Sequence, residues 1–195
     1  MAYNIYTTFR NHLNKNRNLE QLKEGLLHTF QKDSTRLDVM QEVAKAYYYL
    51  GDYETSYKYY KPFTEIREAY KLDIYGSENY KLGYVFTQVG QNEKGNKFFE
   101  EYRELAENTQ SIYKHYNLAM YYSYKNETDK AIEHLKLFAN EENFHYWLLL
   151  FTPIDPTAIN MQKHPEYKKV FKTIEDKFKR YNAELGQSLK NKGLL

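Results

Sequence analysis

The chain has 195 residues, a length typical of one domain or two. Hydrophobic residues make up 42% and charged residues 28%, which is enough apolar material for a core and argues against wholesale disorder. The absence of cysteine excludes disulfide scaffolds, Cys-ligated zinc, iron–sulfur clusters and thiol catalysis. A net charge of +2 does not by itself indicate a nucleic-acid binder.

Membrane segments and leader sequences are not expected from the hydropathy pattern. No apolar stretch approaches the roughly 18 residues that a transmembrane helix needs, and the N-terminus is polar. These features favour a soluble protein in the cytoplasm. They leave a periplasmic location open if the chain is a fragment of a larger protein.

The first segment, residues 1–36, is predicted to be a degenerate helical hairpin. Apolar spacing indicates helices over residues 3–13 and 19–30, separated by a polar stretch rich in Asn and Lys.

Three similar segments follow within residues 37–145. Each has an apolar–small pair, an aromatic residue three positions later, a turn at Gly or Asn, and then a small, a large and an aromatic residue. The first set is Val43, Ala44, Tyr47, Gly51, Ser56, Tyr60 and Phe63. The second is Leu82, Gly83, Phe86, Gly90, Gly95, Phe99 and Tyr102. The third is Leu118, Ala119, Tyr122, Asn126, Ala131, Leu135 and Phe138.

The spacing within each set predicts two antiparallel helices joined by a short turn. Steps of three and four residues are typical of one helix face. We expect Ala44, Gly83 and Ala119 to be buried where the paired helices approach closely. One hairpin cannot bury its apolar face alone, so the hairpins must stack.

This pattern resembles the tetratricopeptide repeat (TPR), a helix–turn–helix of about 34 residues. The fragment AYYYLGDYETSYKYY is the closest match, although no Trp opens any unit and the closing Pro is missing. The second unit is about five residues too long, which predicts a longer helix through residues 65–75. The resemblance implies an all-α right-handed superhelix of stacked antiparallel helix pairs, with C-terminal capping helices.

Residues 146–195 are predicted to form those capping helices. Asn143 is a candidate cap for a helix over residues 144–151, which is apolar nearly all round and should be buried. Asp155 and His164 each precede a Pro, an arrangement typical of a helix start.

The last helix is predicted over residues 165–192, with an apolar stripe of about three heptads. Capping of the last hairpin is the favoured role of this stripe, and a homodimer through it is the alternative. From Lys163 onward the chain carries nine Lys/Arg against four Asp/Glu, which we interpret as a solvated or internally paired face. The stretch HPEYKKVF resembles the end of repeat regions in multidomain bacterial signalling and transcription proteins.

No catalytic motif stands out. No two of the six histidines are four residues apart, and neighbouring acids such as Glu100 and Glu101 point in different directions on a helix. There is no phosphate-binding or dinucleotide-binding glycine motif and no nucleophile elbow. We therefore expect no catalytic residues, no metal site and no cofactor.

Tyrosine is unusually abundant, at 22 residues. The TPR resemblance implies that the first helix of each pair lines a concave groove, and tyrosine is enriched at binding hot spots. The predicted partner-binding groove comprises Lys45, Tyr48, Tyr49, Tyr80, Tyr84, Gln88, Tyr113, Tyr116, Met120 and Tyr124. We expect Tyr80, Tyr84, Tyr116 and Tyr124 to be at least partly exposed on one continuous surface. The alternative is that these rings pack against neighbouring helices. A basic clamp for a C-terminal carboxylate, known in one TPR relative, is disfavoured because Lys81 and Asn117 would have to rotate inward.

The sequence thus favours a non-catalytic scaffold that binds a peptide or helix of a protein partner in this groove. The alternative function is a regulatory or sensor portion of a larger bacterial signalling or transcription-regulator protein. An enzyme is disfavoured, and neither nucleic-acid binding by this chain nor a membrane segment is expected.

Overall fold

The computed structural model describes residues 18–194. Every regular element within that range is helical, which confirms the all-α prediction. The chain divides into two compact units, Met1–Leu105 (unit 1) and Ala106–Leu195 (unit 2). The helix predicted over residues 3–13 lies outside the described residues.

Unit 1 contains a series of antiparallel helices. In chain order they are α1 (Leu19–Lys32), α2 (Leu37–Leu50), α3 (Tyr53–Ala69), a 3-10 helix (Gly76–Glu78), α4 (Asn79–Gln88) and α5 (Asn92–Asn108). Helix α1 packs against α2, and α2 packs against both α3 and α4. The boundary between the units falls within α5.

Unit 2 contains one helical hairpin and a C-terminal segment. Its elements are α6 (Lys114–Tyr124), α7 (Thr128–Phe138), α8 (Trp147–Phe151), two 3-10 helices (Thr152–Ile154 and Pro156–Ala158), α9 (Ile159–Gln162) and α10 (Tyr167–Asn191). Helix α9 packs against α6 and α7, and α10 packs against α7. In the part of the chain that the structure describes, no helix has the length and apolar character needed to cross a membrane.

The three predicted turns are confirmed. Gly51 ends α2 in the left-handed conformation, with φ of 79°, and its N–H donates to the carbonyl oxygens of Tyr47 and Tyr48. Gly90 and Asn126 take φ values of 80° and 60° at the corresponding turns. Glycine and asparagine tolerate this conformation best, which explains their place in the pattern.

The small residues at the helix contacts are buried, as expected. Ala44 and Ala119 are fully buried, and the Ser56 hydroxyl donates to the Ala44 carbonyl oxygen at 2.8 Å. Gly83 is also buried, and a Cβ there would lie 2.6 Å from Cδ2 of Phe99 in α5. The repeat frame therefore identifies the contacts between paired helices.

The longer helix predicted through residues 65–75 is wrong. Helix α3 ends at Ala69, and Lys71 takes a left-handed φ of 50°. The Leu72 N–H donates to the Arg67 carbonyl oxygen at 2.9 Å, a bond of the type that closes a helix C-terminus. The extra residues of the second repeat form a connection that ends at the 3-10 helix before α4.

The predicted start of the first capping helix is also wrong. Asn143 has a φ of 60°, and α8 begins four residues later at Trp147. The burial expected for this segment holds for Phe144, Leu148 and Phe151. The shift follows from the backbone, because a residue with positive φ bends the chain away from the helical path.

The other predicted helix starts lie close to the observed ones. Asp155 accepts a hydrogen bond from the Thr157 N–H and caps the 3-10 helix that begins at Pro156. Helix α10 begins two residues after Pro165. At the other end of the chain, Asn18 caps α1 by accepting from two backbone N–H groups.

Candidate functional site

The ten predicted groove residues differ in exposure. Tyr49, Tyr84, Tyr113, Tyr124 and Lys45 are partly exposed, and Gln88 is exposed. Tyr48, Tyr80, Tyr116 and Met120 are buried. The expectation that Tyr84 and Tyr124 are at least partly exposed is confirmed.

The same expectation for Tyr80 and Tyr116 is wrong, because both rings pack within their own unit. Tyr80 is 4% exposed, and its ring lies 5.0 Å from that of Tyr102 in α5. Tyr116 is 2% exposed, and its hydroxyl lies 2.9 Å from Oγ1 of Thr152. Both belong to first helices, but their side chains face a neighbouring element of the fold.

In unit 1 three partly exposed tyrosines gather around one buried ring (the tyrosine cluster, comprising Tyr48, Tyr49, Tyr53 and Tyr84). The Tyr48 ring is fully buried, and its centroid lies 5.0 Å from that of Tyr49 and 5.8 Å from that of Tyr84. Tyr53 meets Tyr84 at 5.3 Å. These contacts are edge to face, the arrangement that aromatic quadrupoles favour.

A group of charged and polar side chains links α2 to the start of α4 (the ionic network, comprising Gln41, Glu42, Lys45, Glu78 and Lys81). Lys45 Nζ lies 2.7 Å from Oε1 of Glu42 and 3.8 Å from Oε1 of Glu78. Lys81 Nζ lies 2.8 Å from Oε2 of Glu78. Gln41, with its amide nitrogen turned toward Glu42, donates to that carboxylate at 3.0 Å and accepts from Lys45 at 3.3 Å.

The two carboxylates of the network have opposite pKa shifts. Burial raises the pKa of Glu42, and the nearby Lys45 only partly offsets that effect. Burial also acts to raise the pKa of Glu78, but the charges of Lys45 and Lys81 outweigh it and lower the pKa to about 2. Glu78 is therefore ionised at neutral pH and holds both ammonium groups.

The ionic network and the tyrosine cluster adjoin each other. Lys81 Nζ lies 6.0 Å from the ring centroid of Tyr49 and 4.1 Å from that of Tyr80. The Lys81 side chain is only 5% exposed, so its position is fixed by these contacts. Cation–π attraction of this kind adds to the rigidity of the surface.

The predicted groove residues of unit 2 have different surroundings. The Tyr113 hydroxyl accepts a hydrogen bond from the His145 N–H at 2.9 Å, and its ring packs beside Phe138 and Trp147. Met120 is fully buried. Tyr113 therefore supports the chain after α7, and in unit 2 the predicted groove is partly filled by the chain itself.

The predicted groove left out five residues of the tyrosine cluster and the ionic network: Gln41, Glu42, Tyr53, Glu78 and Lys81. A signal for three of them exists in the sequence, because a Glu precedes a Lys by three residues in both EVAK and ENYK. That spacing places the two side chains on one face of a helix. Tyr53 opens the second helix of its hairpin, whereas the groove is predicted from first helices alone.

Comparison with protein-family models, curated proteins and solved structures gives no match to this chain. The relation to the TPR family therefore stays a resemblance in sequence pattern.

Proposed function

We propose that this protein is a non-catalytic scaffold of the TPR type that binds a peptide or helix of a partner protein through the tyrosine cluster of unit 1. The observation that carries the proposal is the packing of three partly exposed rings, those of Tyr49, Tyr53 and Tyr84, around buried Tyr48.

Such an arrangement suits binding because the rings are already ordered. A tyrosine side chain has few rotatable bonds, so little entropy is lost when it is covered. The edge-to-face contacts within the cluster reduce that loss further, since they hold the rings before a partner arrives.

The ionic network favours an aromatic rather than an electrostatic mode of recognition. It contains two lysines and two glutamates, so their formal charges balance. Because each ammonium group is paired with a carboxylate, the surface offers little attraction for a highly acidic ligand. Its role in the proposal is to fix α2 against α4 and to position Lys81 beside Tyr49.

The test is a selection of linear and helix-forming peptides on the purified chain, followed by affinity measurement by calorimetry. We expect peptides that bind the wild type and lose about 2 kcal/mol or more, roughly 30-fold in affinity, with Tyr49→Ala or Tyr84→Ala. Tyr70→Ala is the matched control, because Tyr70 is 74% exposed and lies outside the cluster. It should leave the affinity unchanged.

Stability measurements on the same variants separate binding from folding. Tyr84→Ala removes a partly exposed ring and should cost far less stability than Tyr116→Ala, which empties a buried position at about 3–5 kcal/mol. Selected peptides that bind Tyr49→Ala and Tyr84→Ala as tightly as the wild type would contradict the proposal. Failure to enrich any peptide on the wild-type chain would also count against it.

A further inference from the structure

Two histidines face each other across the α6–α7 hairpin of unit 2 (the histidine pair, His115 and His134). Their Nδ1 atoms are 3.0 Å apart. The ring centroids are 5.3 Å apart and the ring planes differ by 25°, so the rings meet edge to edge with nitrogen facing nitrogen. Both residues are partly exposed, so solvent and small ions can reach them.

The register of the hairpin creates this pair. Ala119 and Ala131 are fully buried where α6 and α7 are closest. His115 lies one turn before Ala119, and His134 lies about one turn after Ala131. Because the helices are antiparallel, these turns are neighbours, and the contact between the helices sets the separation of the rings.

Packing alone does not require histidine at these positions. In the α2–α3 hairpin, Met40 and Tyr59 occupy the positions of His115 and His134 in the repeat frame. Tyr59 stacks on Tyr47 there, with ring planes 10° apart, just as His134 stacks on Tyr122 with planes 6° apart. An apolar and an aromatic side chain therefore fill these two positions in a hairpin of the same fold. The paired imidazoles of unit 2 add two nitrogen ligands that the packing does not require.

We propose that the histidine pair binds a divalent transition-metal ion of the Cu²⁺ or Ni²⁺ type through both Nδ1 atoms. Imidazole nitrogens lie about 2.0–2.1 Å from a bound transition metal. At that distance, nitrogens 3.0 Å apart subtend about 90–100° at the ion, the angle between neighbouring ligands in tetragonal Cu²⁺ and Ni²⁺ sites.

The site has two protein ligands. Among residues 18–194, no group of three or more His, Cys, Asp or Glu side chains is placed to hold a metal, so water completes the coordination. Binding breaks the hydrogen bond between the rings and turns both lone pairs toward the ion. The proton on the donating Nδ1 moves through solvent to Nε2 of the same ring, so the neutral pair keeps its proton count.

The surroundings of His134 favour its neutral form. Burial, together with the nearby His115, lowers the pKa of His134, and neutral imidazole is the ligand form. The charge of Glu133 raises the pKa of His134, whereas that of Lys114 lowers it. The Lys114 ammonium donates to the Glu107 carbonyl oxygen at 2.7 Å, which anchors this charge on the backbone.

The experiment is calorimetric titration of the full chain with NiCl₂, and electron paramagnetic resonance of the Cu²⁺ complex to count coordinated nitrogens. We expect one ion per chain, two imidazole nitrogens, and a loss of at least tenfold in affinity with His115→Gln or His134→Tyr. His134→Tyr introduces the residue type that the α2–α3 hairpin has at this position and keeps an aromatic ring on Tyr122, so folding should be retained. His164→Gln is the control for histidine number, because His164 contacts Asp129 instead.

Two results would overturn the proposal. One is an ion that binds His115→Gln and His134→Tyr as tightly as the wild type, which would place it elsewhere on the chain. The other is an absence of saturable binding of either ion to folded wild-type protein. An equal loss with His164→Gln would mean that scattered surface histidines bind the metal, and would reject the pair as a site. The proposal is independent of the function proposed for unit 1.

Discussion

The α2–α3 hairpin of unit 1 and the α6–α7 hairpin of unit 2 follow one frame, in which positions are offset by 75 residues. Ala44 and Ala119 are both fully buried at the helix contact. Phe63 and Phe138, at matching positions of the second helix, are also fully buried. At these two positions the hairpins carry the same residue type and bury it equally.

The first helices of the two hairpins differ on the face that points away from their partner helix. Lys45 of α2 belongs to the ionic network, whereas Met120 at the same position of α6 is fully buried. Ser123 of α6 donates to the Thr157 carbonyl oxygen at 2.7 Å and accepts from the Met161 N–H at 3.1 Å. In unit 2 the chain after α7 covers α6 through these contacts.

This difference shows that the repeat frame specifies the contact between the two helices of a hairpin. The residues on the outer face of the first helix depend instead on which segment of the chain packs against it. In unit 1 that face combines paired charges with partly exposed rings, and in unit 2 it holds buried hydrogen bonds. Because the outer face is partly exposed in unit 1 and covered in unit 2, partner binding is proposed for unit 1 alone.

The largest effect is expected for Glu78→Gln, which breaks the ionic network. Lys81 is 5% exposed and would lose the carboxylate at 2.8 Å from its ammonium group. Removing one partner of a buried ion pair costs about 3–5 kcal/mol, measurable by urea unfolding followed by circular dichroism. Glu68→Gln is the control, because its ion pair with Lys94 is half exposed and should contribute less than about 1 kcal/mol. Equal losses of unfolding free energy in the two variants would show that the ionic network does not stabilise the fold.

Acid should remove the contribution of Glu78 in the wild type. Its folded pKa of about 2 lies below the ordinary value of 4.5, so the stabilisation is present above pH 4.5 and is lost as the pH falls toward 2. The shift corresponds to about 3 kcal/mol at most. Glu42 opposes it, because its raised pKa means that protonation favours the folded state.

The measurable consequence is that the cost of Glu78→Gln shrinks between pH 5 and pH 2.5. Unfolding curves of both proteins at the two pH values give this difference directly. A cost that is the same at both pH values would contradict the assigned pKa.

Enlarging the small residue at the helix contact should have the same effect in both hairpins. Ala44→Leu and Ala119→Leu each overpack a fully buried position and should cost about 1–3 kcal/mol. Trp147, the single tryptophan, reports on unit 2 by fluorescence, and circular dichroism reports on the whole chain. An unchanged melting temperature for Ala119→Leu would mean that the assigned rotation of α6 is wrong.

Much of the fold follows from the sequence because turns and close contacts have local causes. Gly51, Gly90 and Asn126 take positive φ values, and Ala44 and Ala119 sit where helices approach. A positive φ and a close helix contact each restrict the residue type at one position, so both can be recognised in a single sequence. The connection between α3 and α4 was mispredicted because a helix-compatible sequence ended at a left-handed Lys, a residue that does not usually mark a turn.

The candidate site was less predictable because helix rotation alone does not determine exposure. Tyr80 and Tyr116 lie on the predicted face, yet each is covered by an element of its own unit. The histidine pair joins residues 19 positions apart and depends on the register of α6 against α7. That register can be predicted from the sequence by pairing Ala119 with Ala131 and moving one helical turn along each helix, away from the turn at Asn126.

The smallest effect concerns the start of the second helix in each hairpin. Asp52 precedes α3, with φ of −87° and ψ of 77°, and its carboxylate accepts a hydrogen bond from the Thr55 N–H at 3.0 Å. Glu127 precedes α7 with nearly the same backbone, φ of −91° and ψ of 66°, but makes no side-chain cap. The two helices thus begin alike and differ in one hydrogen bond.

Exchanging the two residue types should exchange the caps. Asp52→Ala removes the hydrogen bond to Thr55 and should cost about 1 kcal/mol. Glu127→Asp shortens the side chain so that it can reach the N–H of Lys130, the position equivalent to Thr55, and should stabilise unit 2 by up to about 1 kcal/mol. The gain is reduced by loss of the exposed Glu127–Lys130 ion pair, which contributes little. Glu127→Gln removes that ion pair without adding a cap and serves as the control.

Trp147 reports on the unfolding of unit 2 by fluorescence. We expect the melting temperature measured in this way to rise for Glu127→Asp and not for Glu127→Gln. If Glu127→Asp melts at or below the temperature of Glu127→Gln, the two hairpins do not share a frame at their helix starts.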